Sequence, residues 1–364
     1  YEINQGLKNT YSEWIKLNPF DYGKGWASEP WSQKEMPLAK EVVEEARKES
    51  DTAIIIIGRT GGEDQDQKAE PGSYYLTETE EQMLEYVCET FEKSIVLLNV
   101  GGIIDMKWVE KYNPAAVLYV WQGGQEGGNG VLDVLSGAHS PSGKLTDTIA
   151  YELSDYPSTP NFGDENRNLY VEDIYVGYRY FETFAKEKVL YPFGYGLSYT
   201  TFSIEVDSFT ELKDHVTAQV TVKNTGDYHG KEVVQMYVEA PQGLLGKPLR
   251  SLCAFVKTKK LQPGESQQLT LTVSKNSLAS YDDAGVTGNK SCYVLEKGTY
   301  QFHIGSDVRN TILAGRFTLD ETLVTEKLTE ALSPVTAFDR MKPVVRETGE
   351  VGLSYEPVPL RTYS

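Results

Sequence analysis

The residues that could do chemistry are concentrated in one glycine-rich loop, residues 58–72, which carries Glu63, Asp64, Asp66 and Glu70. A carboxyl group presented on such a loop can serve as a general acid or base. The close spacing of Asp64 and Asp66 is also compatible with a cation site, although the regular ligand series of an EF-hand loop is absent. A solvated acidic loop without catalytic function is the third interpretation. Residue types alone leave all three open.

Other motif-like patterns carry less information. Residues 123–128 are glycine-rich and lie between a predicted strand and a predicted helix, but they lack both GxGxxG spacing and the Lys-Ser/Thr pair of a P-loop, which favours a tight turn. The four histidines are scattered and suggest no Ser-His-Asp arrangement. We therefore predict no metal site and no cofactor.

The three cysteines, Cys88, Cys253 and Cys292, are odd in number and widely spaced, without a zinc or CxxC pattern. Cys88 falls among apolar residues at helical spacing, so we expect a small core residue. Free thiols favour a reducing compartment, and we expect a cytoplasmic location.

Alternating strands and helices should position the loop. Residues up to about Ser32 look irregular, and residues 53–58 form a β-branched run that predicts a parallel strand buried on both faces. Thr77 and Glu80 predict a capping box at the start of a helix. The remaining predicted elements are helices near 38–46, 77–91, 103–111 and 127–135, and strands at 95–100 and 115–121. This order predicts a layered α/β sandwich with a mainly parallel sheet, with the loop at the carboxyl end of a strand.

From Thr201 the hydrophobic period changes to two. Alternating apolar residues in 215–223, 268–273 and 300–304, separated by turn residues, predict a β-sandwich. We therefore divide the chain into an α/β domain over 1–200, a β-sandwich over 201–320 and an arm over 321–364.

Composition excludes two classes of partner. The 364-residue chain has a formal net charge of −18, and no Lys/Arg stripe suggests nucleic-acid binding. No apolar run approaches the ~18 residues that a membrane helix needs. With 40% hydrophobic residues the chain can form real cores, and a neutral ligand such as a sugar is compatible with its charge.

Several segments, in consistent order, resemble the family 3 glycoside hydrolases. Residues 63–76 are similar to the acid/base loop of that family, 120–127 (VWQGGQEG) to its W-x-G-x-E-G segment, and 135–145 to its "NPSGKLP" stretch. The most specific match is YVEDIYVGYRYF at 170–181, followed by YPFGYGLSYT at 191–200. The sandwich segments 222–226, 230–235 and 261–265 resemble the fibronectin-III-like domain of the same family.

This resemblance implies roles for particular residues. Glu63 takes the general acid/base role, and Asp66 in the same loop faces the sugar. At Gln67 many members of the family have Arg, so no sugar contact is assigned to that position. The substrate implied is a β-linked oligosaccharide or aryl glycoside, and a homo-oligomer is compatible with the family.

The family's nucleophile is an Asp in a Ser-Asp-Trp context on a separate TIM barrel, which takes about 250 residues and is not found in this sequence. The nearest string, 154–156, is a decoy, because Asp155 follows the Pro-Ser-Gly-Lys-Leu stretch where the family has a surface turn. The tail around 337–362 resembles a connector to a barrel placed C-terminally, and the start of the chain looks trimmed. The resemblance implies part of a retaining β-glucosidase. The alternative is a non-catalytic carbohydrate-binding or structural module.

Overall fold

The structure is a computed structural model, and it describes residues 2–26, 28–61 and 66–361. The chain divides into two compact units, residues 1–136 and residues 137–364. The first unit mixes helices with a parallel sheet. The second is dominated by antiparallel strands.

The first unit alternates helices and strands in chain order. Its elements are α1 (Gln5–Leu17), α2 (Lys40–Glu49), β1 (Thr52–Gly58), α3 (Glu78–Thr90), β2 (Lys93–Asn99), α4 (Trp108–Tyr112), β3 (Ala116–Tyr119) and α5 (Gly127–Leu135). The strands form a parallel sheet in the order β1-β2-β3, with Gly58 opposite Asn99 and Leu98 opposite Tyr119. This register brings the carboxyl ends of the strands to one edge.

Strand β1 differs from its prediction on one face. Ile55 and Ile57 are buried, whereas Ile54 is 51% and Ile56 is 60% exposed. Successive side chains of a strand point to opposite faces, and in the described part of the chain only the face carrying Ile55 and Ile57 is covered. The expectation that β1 is buried on both faces was therefore wrong.

Helix α1 lies in a segment that we expected to be irregular, which is a second correction. Asn4 caps it by accepting a hydrogen bond from the Leu7 amide at 2.8 Å. None of its residues is buried, and Ile15 and Leu17 are 54% and 83% exposed. The apolar and aromatic residues at positions 7, 11, 14 and 15 nevertheless recur at helical spacing, so a helical period was present in the sequence and our expectation overlooked it.

The predicted capping box is present at the start of α3. The Thr77 hydroxyl accepts from the Glu80 amide at 3.1 Å, and the Glu80 carboxylate accepts from the Thr77 amide at 2.9 Å. Helix α4, in contrast, begins at Trp108 rather than at residue 103. Ile104 and Met106 are buried in the preceding stretch, which is not helical, so the apolar residues there are buried without a helix.

The second unit contains a β-sandwich together with smaller sheets. Its strands are β4 (Ile149–Ala150), β5 (Val189–Tyr191), β6 (Phe202–Glu211), β7 (His215–Asn224), β8 (Val233–Glu239), β9 (Ser251–Lys257), β10 (Ser266–Ser274), β11 (Ser280–Asp282), β12 (Cys292–Leu295), β13 (Gly298–Gly305), β14 (Thr311–Leu319), β15 (Leu323–Lys327), β16 (Asp339–Val345) and β17 (Val351–Pro357); helix α6 spans Tyr178–Phe184. The antiparallel sheets β10-β7-β6 and β14-β13-β8-β9 enclose one core.

Apolar side chains that alternate with polar ones along the strands fill that core, as predicted. Val216, Ala218, Val220 and Val222 of β7 are fully buried, and they face Tyr300, Phe302 and Ile304 of β13 within one hydrophobic cluster. The fold class is confirmed: an α/β region with a parallel sheet, followed by an antiparallel β-sandwich.

The aromatic segments at 170–181 and 191–200 pack within the second unit. The Tyr178 ring stacks on Phe193 with centroids 4.3 Å apart, and its hydroxyl accepts from the Leu252 amide of β9 at 2.8 Å. Gly194 has φ +81°, and a Cβ there would collide with the side-chain amide of Gln235. Tyr178 and Gly194 are therefore packing residues.

Residues beyond 320 form strands. β15 pairs with β12, and β16 and β17 form an antiparallel hairpin. Arg340 of that hairpin contacts Asp283 at 2.5 and 2.9 Å and Glu356 at 3.0 Å. Our division into domains at residues 200 and 320 stays a prediction.

Candidate functional site

The candidate site lies at the carboxyl edge of the parallel sheet in the first unit. The backbone pairing continues past the strands: the Arg59 amide donates to Asn99 O at 3.0 Å, and the Val120 amide donates to Leu98 O at 2.9 Å. The three loops that leave β1, β2 and β3 therefore start side by side. Ligands of open α/β sheets bind at such an edge.

Arg59, the first residue after β1, is buried and anchors the loop that follows. Its guanidinium forms a two-pronged ion pair with Glu80 of α3, with Nη1–Oε1 and Nη2–Oε2 distances of 2.6 and 3.0 Å. It also donates to the carbonyls of Gly58 at 2.8 Å, Ser73 at 2.9 Å and Tyr75 at 3.2 Å. One side chain thus joins the strand end, the returning chain and helix α3.

The returning end of the loop is built from local turns. The Lys68 amide donates to the Ser73 hydroxyl at 2.9 Å, and the Tyr74 amide donates back to Lys68 O at 3.1 Å. Gly72 has φ +83°, and a Cβ there would lie 2.5 Å from the Ser32 hydroxyl, so glycine is favoured at this position. This part of the loop has a defined path.

Gln122, two residues after the paired end of β3, lies between the other two loops. Its Nε2 is 3.1 Å from where a Cβ would lie on Gly61 and 2.9 Å from where one would lie on Gly101. Gly61 follows β1 and Gly101 follows β2, so the Gln122 amide lies beside both loops in the space that side chains at these positions would occupy. Glycine at both positions allows this close approach.

The turn that carries Gln122 is strained. Trp121 has φ +58°, which is unusual for a residue with a side chain and costs energy. Its ring packs on Tyr119 with a centroid separation of 4.3 Å, and the Tyr119 hydroxyl donates to Gly102 O at 2.8 Å. These contacts tie the loops after β2 and β3 together. Strain of this kind concentrates at functional sites.

The predicted acid/base residue, Glu63, lies outside the described residues, as does Asp64. Asp66 is described and exposed. The next residue, Gln67, has its Oε1 3.6 Å from where a Cβ would lie on Gly102, which places this stretch beside the loop after β2. The cation interpretation involved Asp64, so it remains a prediction.

The segment before α2 borders the same loop. Thr60 donates from its amide to Trp31 O at 2.7 Å and from its hydroxyl to Pro30 O at 2.6 Å. Nearby, Glu35 accepts from the Tyr11 hydroxyl at 3.0 Å. Burial raises the pKa of Glu35 above its usual value, partly offset by hydrogen bonds from Met36 N and Tyr11. Glu35 is the acceptor that holds α1 to this segment.

Two motifs that we set aside make local contacts. Residues 124–127 form a turn closed by a 3.2 Å bond from the Gly127 amide to Gly124 O, as predicted for a strand-to-helix connection. Asp155 accepts from the Glu152 amide at 3.2 Å and from Lys188 Nζ at 2.8 Å in the second unit. Its carboxylate is thus used locally.

Sequence reasoning missed Arg59, Glu80 as its partner, and Gln122. Glu80 was identified only as a helix cap, and Arg59 only as part of an acidic loop. A signal for Arg59 existed, because a charged residue directly after a buried strand needs a buried partner. For Gln122 we find no comparable signal in the sequence.

An α/β unit with loops gathered at the carboxyl edge of its sheet, followed by a fibronectin-III-like sandwich, is the architecture that the resemblance implied. Residues 2–199 match the Glycosyl hydrolase family 3 C-terminal domain, and residues 232–308 match the Fibronectin type III-like domain. The chain belongs to glycosyl hydrolase family 3, which confirms the family that the sequence motifs indicated.

Relatives and solved structures agree with this assignment. A β-glucosidase from Ruminococcus albus is 52% identical over 99% of this chain and 37% of its own length. The crystal structure of a β-glucosidase from Paenibacillus barengoltzii is 53% identical with a TM-score of 0.96, covering 100% of this chain and 41% of that one. β-Glucosidase 3B from Thermotoga neapolitana, in complex with α-D-glucose, is 35% identical with a TM-score of 0.79, covering 89% and 45%. The chain thus spans less than half the length of these proteins.

No helix in the described part of the chain is long and apolar enough to cross a membrane.

Proposed function

We propose that this chain is the acid/base-bearing part of a retaining β-glucosidase, in which a barrel domain outside the chain supplies the Asp nucleophile. The observation that carries the proposal is the match of residues 2–199 to the family 3 C-terminal domain, together with relatives named β-glucosidase at 52% and 42% identity. The anchored loop at the carboxyl edge of the sheet supports it, because that loop contains Glu63.

Glu63 has two successive tasks in this mechanism. As the barrel Asp attacks the anomeric carbon, the Glu63 carboxyl gives its proton to the glycosidic oxygen, the C–O bond breaks, and the leaving alcohol departs. The Glu63 carboxylate then takes a proton from water, which attacks the same carbon and displaces the Asp. Two inversions return a β-configured sugar.

Asp66 is proposed as a sugar-facing residue. It is exposed, and the following residue lies beside the loop after β2 at the edge of the sheet. A carboxylate that accepts hydrogen bonds from sugar hydroxyls strengthens binding. Asp66→Asn is therefore expected to raise KM for glucosides, and a panel of aryl β-glycosides would show which sugar the site prefers.

The test of Glu63 uses the dependence on the leaving group. In the complete enzyme, Glu63→Ala should lower kcat/KM for cellobiose far more than for a dinitrophenyl β-glucoside, because an activated phenol departs without a proton. The glycosyl-enzyme should accumulate with the activated substrate. Azide, which needs no base, should restore turnover and yield a β-glycosyl azide.

A matched control separates this role from the alternatives. Glu70→Ala removes another exposed carboxylate of the same loop and should leave kcat/KM unchanged for both substrates. A cation site predicts instead a loss that follows chelation and is shared by Asp64→Ala. A non-catalytic module predicts little loss from Glu63→Ala and no azide product. Equal losses for both substrates without rescue would refute the proposal.

The barrel is the partner that this mechanism requires, and a homo-oligomer of the complete enzyme is compatible with it. Light scattering of the complete enzyme measures its oligomeric state directly. We further propose a cytoplasmic location, supported by the free thiols Cys88, Cys253 and Cys292. Fractionation of the source cells tests it.

A further inference from the structure

The ion pair between Arg59 and Glu80 contacts the chain on both sides of the loop formed by residues 60–72. Its guanidinium bonds to Gly58 O before the loop and to Ser73 O and Tyr75 O after it. The two ends of the loop are therefore fixed to the same planar group. Moving that group would move both ends together.

Glu80 binds the Arg59 guanidinium, and its own carboxylate is bound by a backbone amide at the start of α3. Its Oε1 accepts from Arg59 Nη1, and its Oε2 accepts from both Arg59 Nη2 and the Thr77 amide. Both side chains are buried, at 2% exposure for Arg59 and 7% for Glu80. The position of the pair is thus set by the first turn of α3.

Stability alone does not account for a buried ion pair. Desolvation of the two charges offsets much of their attraction, and apolar residues of similar volume often stabilise a protein as well. What apolar side chains cannot do is bind, in a fixed geometry, the three backbone carbonyls that flank the loop. A planar guanidinium donates several hydrogen bonds in fixed directions.

We propose that Arg59 and Glu80 are positioning residues that set the placement of the acid/base loop, so that proton transfer to the leaving group depends on their ion pair. This inference rests on the proposed role of Glu63. Acid catalysis is sensitive to placement, since an error of about 1 Å can cost about a hundredfold in rate. Glycoside cleavage that needs no proton should be insensitive to the pair.

The test is Glu80→Gln in the complete enzyme. Gln keeps the capping box, which accepts either Glu or Gln at this position, but its NH₂ group opposes one Arg59 donor. We expect kcat/KM for cellobiose to fall about tenfold to a hundredfold. For a dinitrophenyl β-glucoside it should stay within about threefold, and the acid-dependent limb of the pH profile should change only for cellobiose.

The matched control is Glu81→Gln on the same helix. Glu81 pairs with Lys111 at 2.8 Å and accepts from the Tyr112 hydroxyl at 3.0 Å on the surface of α3. This variant should leave both substrates and the pH profile unchanged. A control that loses cellobiose activity as strongly as Glu80→Gln would overturn the inference.

A second variant separates placement from folding. Arg59→Met/Glu80→Gln removes the unpaired charge while keeping the cap, so its unfolding midpoint should lie above that of Glu80→Gln. Its selective loss of kcat/KM for cellobiose should remain, because Met cannot bind the backbone carbonyls that flank the loop. Recovery of cellobiose activity in parallel with stability would show that the pair is only structural.

A double-mutant cycle ties the effect to Glu63. In the Glu63→Ala background, Glu80→Gln should cause no further loss with phenyl β-glucoside, since there is no acid left to misplace. An additive loss would overturn the inference. If Glu63→Ala itself slows phenyl and dinitrophenyl substrates equally, the proposed function fails instead, so the two failures are distinguishable.

Discussion

The carboxylate of Asp282 accepts hydrogen bonds from both the amide and the hydroxyl of Thr287, at 2.8 and 2.6 Å. It also accepts from the amides of Gly285 and Val286 at 2.6 and 3.0 Å, although its residue is fully buried. Burial by itself would raise the pKa of Asp282, but these bonds to the ionised form hold it below its usual value. The turn at 283–287 thus depends on a charged acceptor.

Asp282→Asn is expected to destabilise the second unit at pH 7. An amide group would point one donor at a backbone donor, at a cost of about 1–3 kcal/mol. The folded pKa is lowered, so the contribution of the carboxylate is present above the unfolded pKa and is lost as pH falls through the folded one. The difference in unfolding free energy should therefore shrink below about pH 4. Urea unfolding followed by circular dichroism measures it, and exposed Asp320→Asn is the control. A difference that is constant from pH 7 to 3 would contradict the assignment.

Replacing Gly123 and replacing Gly130 with alanine should change stability in opposite directions. A Cβ on Gly123 would lie 2.7 Å from Gly127 Cα, a backbone atom that cannot move aside cheaply. Gly123→Ala should cost about 1–3 kcal/mol through overpacking. A Cβ on Gly130, inside α5, meets nothing within 4 Å, so Gly130→Ala should stabilise by about 0.4–1 kcal/mol. All five tryptophans lie in residues 1–136, so fluorescence during urea unfolding reports on this unit.

Asp155→Asn in the complete enzyme should leave turnover nearly unchanged. The carboxylate pairs with Lys188 and caps a short 3₁₀-helix, Leu153–Asp155, so its loss affects local stability by about 1 kcal/mol or less. Steady-state kinetics with an aryl β-glucoside tests this. A thousandfold fall would mean that Asp155 acts in catalysis after all.

The thiol of Cys253 should resist alkylation in the folded protein. Burial raises its pKa to about 12, in spite of opposing hydrogen bonds from the amides of Cys253 and Ala254. At pH 8 the reactive thiolate is then only about one part in ten thousand. Iodoacetamide treatment followed by peptide mass spectrometry should find Cys253 unmodified in native protein and fully modified in guanidinium chloride. Rapid labelling of the native protein would contradict the burial argument.

Residues 1–364 by themselves should not hydrolyse β-glucosides. A single carboxylic acid can protonate a leaving group, but it cannot form the glycosyl-enzyme. Adding the barrel portion, covalently or in trans, should restore turnover. Robust hydrolysis by a preparation free of barrel protein would refute the division of the catalytic pair between two domains.

The elements whose apolar residues recur with a clear period were predictable from the sequence. The alternation of Val216, Ala218, Val220 and Val222 predicted β7, because a strand with one buried face must repeat every two residues. The Thr77–Glu80 box fixed the start of α3 for an equally local reason. Helix α1 was missed for a different reason: its positions 7, 11, 14 and 15 recur at helical spacing, but the aromatic-rich segment was interpreted as irregular.

The candidate site was predictable only in part. The sequence by itself determined the family, the fold class and the loop in which the acid/base glutamate is proposed, because those depend on motifs and on periods of a few residues. Only the tertiary structure showed that Arg59 and Glu80, 21 positions apart, form a buried pair that fixes both ends of that loop. It likewise placed the Gln122 amide against Gly61 and Gly101. Such contacts arise where neighbouring strands end side by side, and the spacing of residues along the chain carries no record of which side chains meet there.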